Sequence, residues 1–565
     1  MRGLAVVAAV AAAAPACTDA PAGELAEHRG TTTFLTPTEH LARASLALRG
    51  VRPSIGELRE VAADPSRLPE LVDRYLATPE FGDTVRELHD EALLLRIRDR
   101  QYTLPAVDRL RGATFDQVND SIYGEPLHLI EYVVTSGRPY TDIVTADYTL
   151  ADPTVARAWG LTYAGFGQWT VVPTPDRPRA GILASPALFM RYRSAGANYH
   201  RARANAVSRG LLCHDFLDSD ISIDTSVNLA DPQVVANAVV ANPTCAGCHQ
   251  ALDPLASYFF PYPQGTLPVG SITAYPFAYY DPTAGDGWFG TTWRPPAYFG
   301  TPADGLAGLG AAIASDPRFA RCAAIHFASY LTESTADALP PAWIAALQDH
   351  FTSAHYDARV LVRDIVMSDE FRTASDDDAQ AALATIGYQK VRPPQLARMI
   401  EDLTGFAWTA DSPAVVGIGP YWRQGTYDVL DDDTEGYRVL AGGLDDYLVT
   451  RPVLTSTTTS SLVTRDLAYR AAAFVVSHDA TAAAGARTLF AGSPGAEPAS
   501  ATALRAELAN LHARIFSELV DPSDGALDAD EQLFDGALAA AHGDVRRAWI
   551  VTLTAMLSDL KAVYY

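Results

Sequence analysis

Cysteine and methionine are scarce in this chain, since each occurs only five times in 565 residues. So few cysteines exclude a disulfide-dense scaffold, in which several bridges replace a hydrophobic core. Basic residues are also in the minority, with 43 Lys and Arg against 67 Asp and Glu and a formal net charge of −24. Because nucleic-acid binding needs clustered cationic side chains, we expect no nucleic-acid partner. An acidic chain of this kind instead suits a cationic partner protein.

The chain also lacks an apolar run long enough to cross a bilayer, and its most apolar segment is the N-terminus, MRGLAVVAAVAAAAPAC. Arg2 is followed by a short apolar stretch over residues 4–14 and then by small residues, which predicts a signal peptide over 1–16 and therefore export. Cys17 directly after this segment predicts lipid attachment, a membrane anchor in the periplasm or at the outer cell surface, and a tether over residues 17–35. The alternative is cleavage without lipidation.

Helical signals dominate the rest of the chain, and 48% of its residues are hydrophobic. Thr36 with Glu39 and Ser54 with Glu57 have the spacing of capping boxes that open helices. The final segment, DVRRAWIVTLTAMLSDLKAVYY, has the apolar spacing of a long helix. We therefore predict a mainly α, multi-helical protein.

Composition and turn signals divide the predicted helices into three domains. An N-terminal helical domain is expected over residues 36–180, a central domain over 181–375 and a C-terminal helical domain over 390–565. An acidic segment that starts with RTASDDDAQ is expected to link the last two. Within the central domain, residues 256–300 crowd aromatics among Gly and Pro, which predicts irregular structure or short strands.

The segment TCAGCHQALDPL places Cys245, Cys248 and His249 within five positions. At about 100° per residue, these three side chains lie on one side of a helical turn. Two thiols can then form thioethers to a haem while the imidazole reaches the iron, and C-x-x-C-H is the attachment signature of c-type haem. We predict haem c on Cys245 and Cys248, with His249 as the proximal iron ligand.

Three other interpretations of the motif stay open. The two cysteines could form a local C-x-x-C disulfide, although no βαβ pattern surrounds them. The trio could hold zinc, although no fourth ligand stands at a suitable spacing. The thiols could also be buried and inert. The disulfide interpretation leads to a structural or glycan-binding surface lipoprotein without haem.

The segment NPTCAGCHQALDPLASYFF resembles the cytochrome-type domain of planctomycete and myxobacterial proteins of unknown function, whose core reads C-A-x-C-H, three residues, then D-P. The resemblance extends to RAGILASPALFM, NYHRARANAVSRGLLC and DPRFARCAAIHFASYL. It implies an exported haem protein and no particular substrate. Many members continue D-P-x-G-F-x-x-E, whereas this chain continues Asp253-Pro254-Leu255-Ala256.

The sixth iron ligand is open at this stage. Met190 and His200 are candidates, although each is more often a packing residue than a ligand. An open sixth position would suit a peroxidase-like haem enzyme, whereas a filled one suits an electron carrier. We expect single-electron transfer to a redox partner protein rather than catalysis.

Cys213 and Cys322 remain outside the motif and flank it in the chain. In an oxidising compartment two such cysteines commonly pair, so a disulfide between them is expected. Two buried thiols are the alternative.

Overall fold

The computed structural model describes residues 28–96, 110, 113, 115–192, 199–218, 227–228, 230–262, 294–378, 382, 386–411, 426–432 and 436–565. The predicted signal peptide over 1–16 and the lipidation residue Cys17 lie outside the described residues. So does most of the aromatic-rich region, residues 263–293.

Helices form most of the described chain, which agrees with the predicted mainly α fold. The first eleven are Pro37–Arg49 (α1), Ile55–Ala63 (α2), Leu68–Tyr75 (α3), Pro79–Leu93 (α4), Phe115–Thr135 (α5), Asp142–Thr145 (α6), Pro153–Trp159 (α7), Pro186–Arg191 (α8), Arg201–Leu212 (α9), Pro232–Ala241 (α10) and Pro243–Ser257 (α11).

The helices after the aromatic-rich region are Gly305–Ser315 (α12), Pro317–Thr332 (α13), Pro341–Ser353 (α14), Ala358–Val366 (α15), Asp369–Arg372 (α16), Pro393–Thr404 (α17), Tyr437–Leu440 (α18), Thr458–Thr481 (α19), Ala501–Leu511 (α20), Asp528–Ala540 (α21), Val545–Ser558 (α22) and Leu560–Val563 (α23). Among the described residues, none of these helices is both long and apolar enough to cross a membrane.

Short antiparallel strands tie distant segments together. The strands are His28–Arg29 (β1), Thr32–Phe34 (β2), Tyr148–Ala151 (β3), Thr170–Pro173 (β4), Thr373–Asp376 (β5), Thr409–Asp411 (β6) and Thr426–Asp428 (β7). They pair as β1-β2-β5, β3-β4 and β6-β7.

The β1-β2-β5 sheet changes two expectations. Residues 28–34, at the end of the predicted tether, are held against β5 and do not form a flexible segment. Thr32 Oγ1 donates to Asp376 Oδ2 at 2.6 Å, and the adjacent Leu35 N donates to Arg372 O at 2.8 Å. The start of the predicted acidic linker is likewise a paired strand.

The N-terminal helices begin where the sequence predicts. The side chains of Thr36 and Ser54 accept from the backbones of Glu39 and Glu57, and each glutamate reaches back to the cap residue. α1 ends at Gly50, which has φ 67°, a backbone conformation that glycine adopts without a Cβ penalty.

Two hydrophobic cores organise the described chain. The first core gathers buried residues from Leu41 to Phe371, and the second core gathers Leu46 with residues from Val391 to Ala562. The predicted boundary near residue 180 therefore falls inside one core, because α13 packs on both α4 and α9. Apart from Leu46, the second core begins at Val391, and the domain start at 390 stays a prediction.

Buried cations join the two cores. Arg392, only 6% exposed, pairs with Glu91 at 2.9 Å and with Glu333 at 3.2 Å. Arg52 donates to the carbonyl oxygens of Lys561 and Ala562, both at 2.8 Å. Each buried guanidinium thus has several acceptors, which compensates for its loss of water.

Candidate functional site

The helix α11 carries the C-x-x-C-H motif in its first two turns, and its start is well defined. Asn242 caps the helix, and its side-chain oxygen accepts from Thr244 N at 3.0 Å and from Cys245 N at 3.4 Å. Pro243 follows at the first helical position, where its missing N–H costs nothing. These local signals set the backbone that presents the motif.

Cys245, Cys248 and His249 are all partly exposed on α11. The two sulfurs are not joined in a disulfide. A group of ligands that binds one metal ion has its donor atoms within about 4.8 Å of one another. The two sulfurs and the imidazole nitrogens of this trio do not meet that spacing. Gly247, between the cysteines, faces open space, since a Cβ there would meet no atom within 4 Å. Both thiols and the imidazole can be reached from solvent.

His249 is held in one orientation by Asp253, one turn later on the same helix. The Nδ1 atom of His249 lies 2.8 Å from Asp253 Oδ1. A carboxylate only accepts, so this hydrogen bond needs a proton on Nδ1 and leaves Nε2 as the ring nitrogen that can face a metal. A ring nitrogen fixed by a carboxylate in this way is the common arrangement of metal-binding histidines.

Two arginines brace Asp253, whose side chain is only 2% exposed. Arg201, at the start of α9, donates Nε and Nη2 to its two oxygens at 2.6 and 3.0 Å. Arg294 is the second arginine, and its Nε lies 3.7 Å from Asp253 Oδ2. The Arg294 Nη1 atom donates to His249 O at 3.3 Å, and Arg294 Nη2 donates to Val239 O at 3.1 Å.

These contacts determine the charge state of the Asp253 carboxyl. Burial alone would raise the pKa of Asp253, but hydrogen bonds from His249 and Arg201 and the charge of Arg201 outweigh it and lower that pKa. Asp253 is therefore a carboxylate at neutral pH and a permanent acceptor for the imidazole.

The two predicted candidates for a sixth ligand lie on the neighbouring elements. His200 is the N-cap residue of α9, directly before Arg201, and it is fully buried. Its pKa is lowered to about 3, because the imidazole is desolvated and lies beside the Arg203 guanidinium. Its imidazole is neutral, as a ligand must be. Met190 lies on α8, and its side chain is outside the described part of the structure.

Aromatic side chains after the motif belong to the first core. Tyr258, Phe259 and Tyr262 are 0 to 3% exposed, and the Tyr262 ring stacks on that of Phe189 with centroids 3.5 Å apart. In the described part of the aromatic-rich region, these aromatic side chains therefore serve to fill the first core. Most of the region for which irregular structure or short strands are predicted, residues 263–293, lies outside the described residues.

The remaining cysteines lie at bonding distance. The sulfurs of Cys213, at the C-terminal end of α9, and Cys322, in α13, are 2.16 Å apart, and the two residues are 109 positions apart in sequence. His326 Nε2 lies 3.7 Å from Cys213 Sγ. The bridge ties α9, which supplies Arg201, to the centre of the first core.

Sequence reasoning missed the group that orients His249. Asp253 stands four residues after His249, the spacing at which side chains meet on a helix, so this signal was present. Arg201 and Arg294 lie 52 and 45 residues from their partners in this network, and no local pattern indicates them.

Comparison with known proteins adds no further constraint on this site. No protein-family model, no curated protein and no solved structure matches the chain significantly.

Proposed function

We propose that α11 attaches a c-type haem through Cys245 and Cys248, with His249 as the proximal ligand, and that the protein carries single electrons. The observation that carries this proposal is the joint presentation of two unbridged thiols and one imidazole, whose Nδ1 proton is held by Asp253. The residues present fit the group, because thioether attachment needs sulfurs that are accessible and not bonded to each other.

When bound, haem would supply an iron that alternates between ferric and ferrous states. The chain's own residues would do the rest. Cys245 and Cys248 would hold the porphyrin covalently, so that it stays attached where the fold exposes an edge to a partner. His249 would offer Nε2, and Asp253 would keep the proton on Nδ1 and increase the basicity of the ring.

The partner we infer is a redox protein with a cationic face, since this chain has a formal net charge of −24. The N-terminal pattern around Arg2 and Cys17 supports export and lipid anchoring, which would place electron transfer in the periplasm or at the cell surface. Thioether attachment fits that setting, because an oxidising compartment permits covalent haem attachment.

Absorbance spectroscopy tests the cofactor directly. The protein is produced in a host that attaches haem to C-x-x-C-H motifs, and its reduced spectrum is recorded before and after acid-acetone extraction. We expect an α-band that remains with the polypeptide, and its loss in the C245S/C248S variant. A colourless protein with a Cys245–Cys248 disulfide would instead support the structural or glycan-binding lipoprotein.

Carbon monoxide distinguishes the carrier from a haem enzyme. A six-coordinate carrier keeps its reduced spectrum when carbon monoxide is added, because both axial positions are filled. A shifted spectrum would indicate an open position and favour a peroxidase-like enzyme, for which the strengthened His249 donor is equally suitable. His200→Ala and Met190→Ala would each be compared, since loss of the true sixth ligand opens the site.

A further inference from the structure

Cys213, Cys322 and His326 form a compact cluster of soft donors at the junction of α9 and α13. Their ligating atoms all lie within 4.8 Å of one another, and in the described part of the chain they form the one such group of three His, Cys, Asp or Glu side chains. Cys213 is exposed and Cys322 is buried. Nothing in the haem proposal uses this cluster.

We infer that this cluster is a redox-dependent metal site, which holds Zn²⁺ when the Cys213–Cys322 bond is reduced and no metal when it is oxidised. The inference is independent of the haem proposal, because it uses neither Cys245, Cys248 nor His249.

The chemistry needs a reductant, and we assign a protein or small-molecule dithiol to that step. A thiolate of the dithiol attacks the exposed Cys213 sulfur, and Cys322 leaves as a thiolate. The second thiol of the dithiol then displaces Cys213, so that the dithiol becomes a disulfide and both cysteines are reduced. Zn²⁺ binds the two thiolates and releases the two thiol protons.

The distances suit tetrahedral zinc after a small rearrangement. Zinc binds sulfur at about 2.3 Å and imidazole nitrogen at about 2.0 Å, which separates two sulfurs by about 3.8 Å and a sulfur from a nitrogen by about 3.6 Å. Cys213 Sγ already lies 3.7 Å from His326 Nε2. The two sulfurs, which are bonded in the oxidised state, must move apart, and the exposed Cys213 side chain is the one free to turn towards solvent.

The charges also suit a cation. The Arg209 guanidinium lies close enough to His326 to interact with it electrostatically. Two thiolates neutralise the charge of Zn²⁺, so the complex adds no net charge beside Arg209. The exposed side of Cys213 leaves a fourth position for water.

Zinc titration of oxidised and dithiol-reduced protein tests this assignment. The haem-loaded protein is used, and the titration is repeated on the C245S/C248S variant, so that the thiols of α11 cannot contribute. We expect one tightly bound Zn²⁺ per chain after reduction and none before. Co²⁺ added in place of Zn²⁺ should give thiolate-to-metal charge-transfer bands.

Two histidine variants separate ligation from a general effect on folding. His326→Gln keeps both cysteines and should weaken zinc binding at least tenfold, since loss of even an outer partner of a metal ligand costs about 10–100-fold. His214→Gln changes the exposed histidine next to Cys213 and should leave affinity unchanged. Circular dichroism checks that each variant is folded.

Reduced protein without stoichiometric zinc, or with an affinity that His326→Gln does not alter, would overturn the inference. So would Co²⁺ spectra without thiolate bands. Failure of the haem proposal alone would leave the result in the C245S/C248S variant unchanged.

Discussion

Asp253 accepts a hydrogen bond from Nδ1 of His249 at 2.8 Å, one helical turn further along α11. This contact links the motif to the body of the protein, because Asp253 is buried and is itself held by two donors from Arg201. The orientation of the imidazole is thus set by α9 as well as by its own helix.

Replacing Asp253 with Asn should raise the reduction potential of the attached haem. The substitution removes a buried negative charge and leaves a weaker acceptor for His249, and both changes stabilise ferrous iron. We expect a rise on the order of 60 mV, which corresponds to a tenfold change in a one-electron equilibrium. Spectroelectrochemistry measures the potential.

Asp357→Asn is the matched control for that experiment. Asp357 likewise pairs with an arginine, Arg359, but it caps α15 and lies outside the Asp253 network. The potential of this variant should equal that of the unmodified protein. If Asp253→Asn leaves the potential unchanged as well, Asp253 does not tune the imidazole.

Reducing the Cys213–Cys322 bond should destabilise the first core. The bridge joins residues 109 positions apart, and a loop of about 100 residues corresponds to about 4–5 kcal/mol when its closure entropy is counted in the unfolded state. Denaturant unfolding with and without a dithiol, in the presence of a zinc chelator, measures the difference. The C213A/C322A variant should match the reduced protein and not respond to the dithiol.

Gly310 should not tolerate a side chain. In α12 its backbone approaches α6 so closely that a Cβ would lie 2.1 Å from the Val144 carbonyl oxygen. Gly310→Ala should therefore lower the free energy of unfolding by about 1–3 kcal/mol or more. Gly536→Ala in α21 is the control, because a Cβ there meets no atom within 4 Å and alanine should add about 0.5–1 kcal/mol. Equal midpoints for the two variants in thermal denaturation would contradict the close approach.

His512 should make the stability of the second core depend on pH. Its two ring nitrogens contact Glu518 Oε2 at 3.1 Å and Asp530 Oδ2 at 2.8 Å. Although burial opposes the charged form, these carboxylates prevail and raise the pKa of His512 from 6.5 to about 9. The charged imidazole then contributes fully below pH 6.5, and this contribution is lost as the pH rises through about 9.

The contribution of His512 is on the order of 3 kcal/mol. Denaturant unfolding between pH 6 and 10 should show that His512→Gln reduces this loss of stability, whereas the exposed His542→Gln does not. A pH dependence that is the same in all three proteins would show that the charge of His512 does not stabilise the folded state.

Local signals in the sequence predicted the helix starts well and the long-range arrangement poorly. The capping residues Thr36 and Ser54 act as expected because every partner lies within three positions. The apolar spacing of ALRAELANLHARIFSELV, which begins at Ala503, predicts one continuous helix. In the structure α20 ends at Leu511 and a π-helical turn follows over His512–Phe516. The carboxylates that hold His512 lie 6 and 18 positions further along the chain, so helical spacing alone could not predict this change.

The candidate site shows the same difference between features set by local sequence and features set by tertiary contacts. The helical presentation of Cys245, Cys248 and His249 follows from spacing and from the Asn242 cap. The bracing of Asp253 could not be predicted, because Arg201 and Arg294 reach it only through tertiary folding.

The intact mass of the mature protein tests the central claim most directly. It is measured after production with haem-attachment machinery and compared with the C245S/C248S variant made in the same host. We predict a mass increased by one haem that survives denaturation in the unmodified protein and is absent from the variant. A mature chain with the bare polypeptide mass, or one lower by two hydrogens at Cys245 and Cys248, would contradict it.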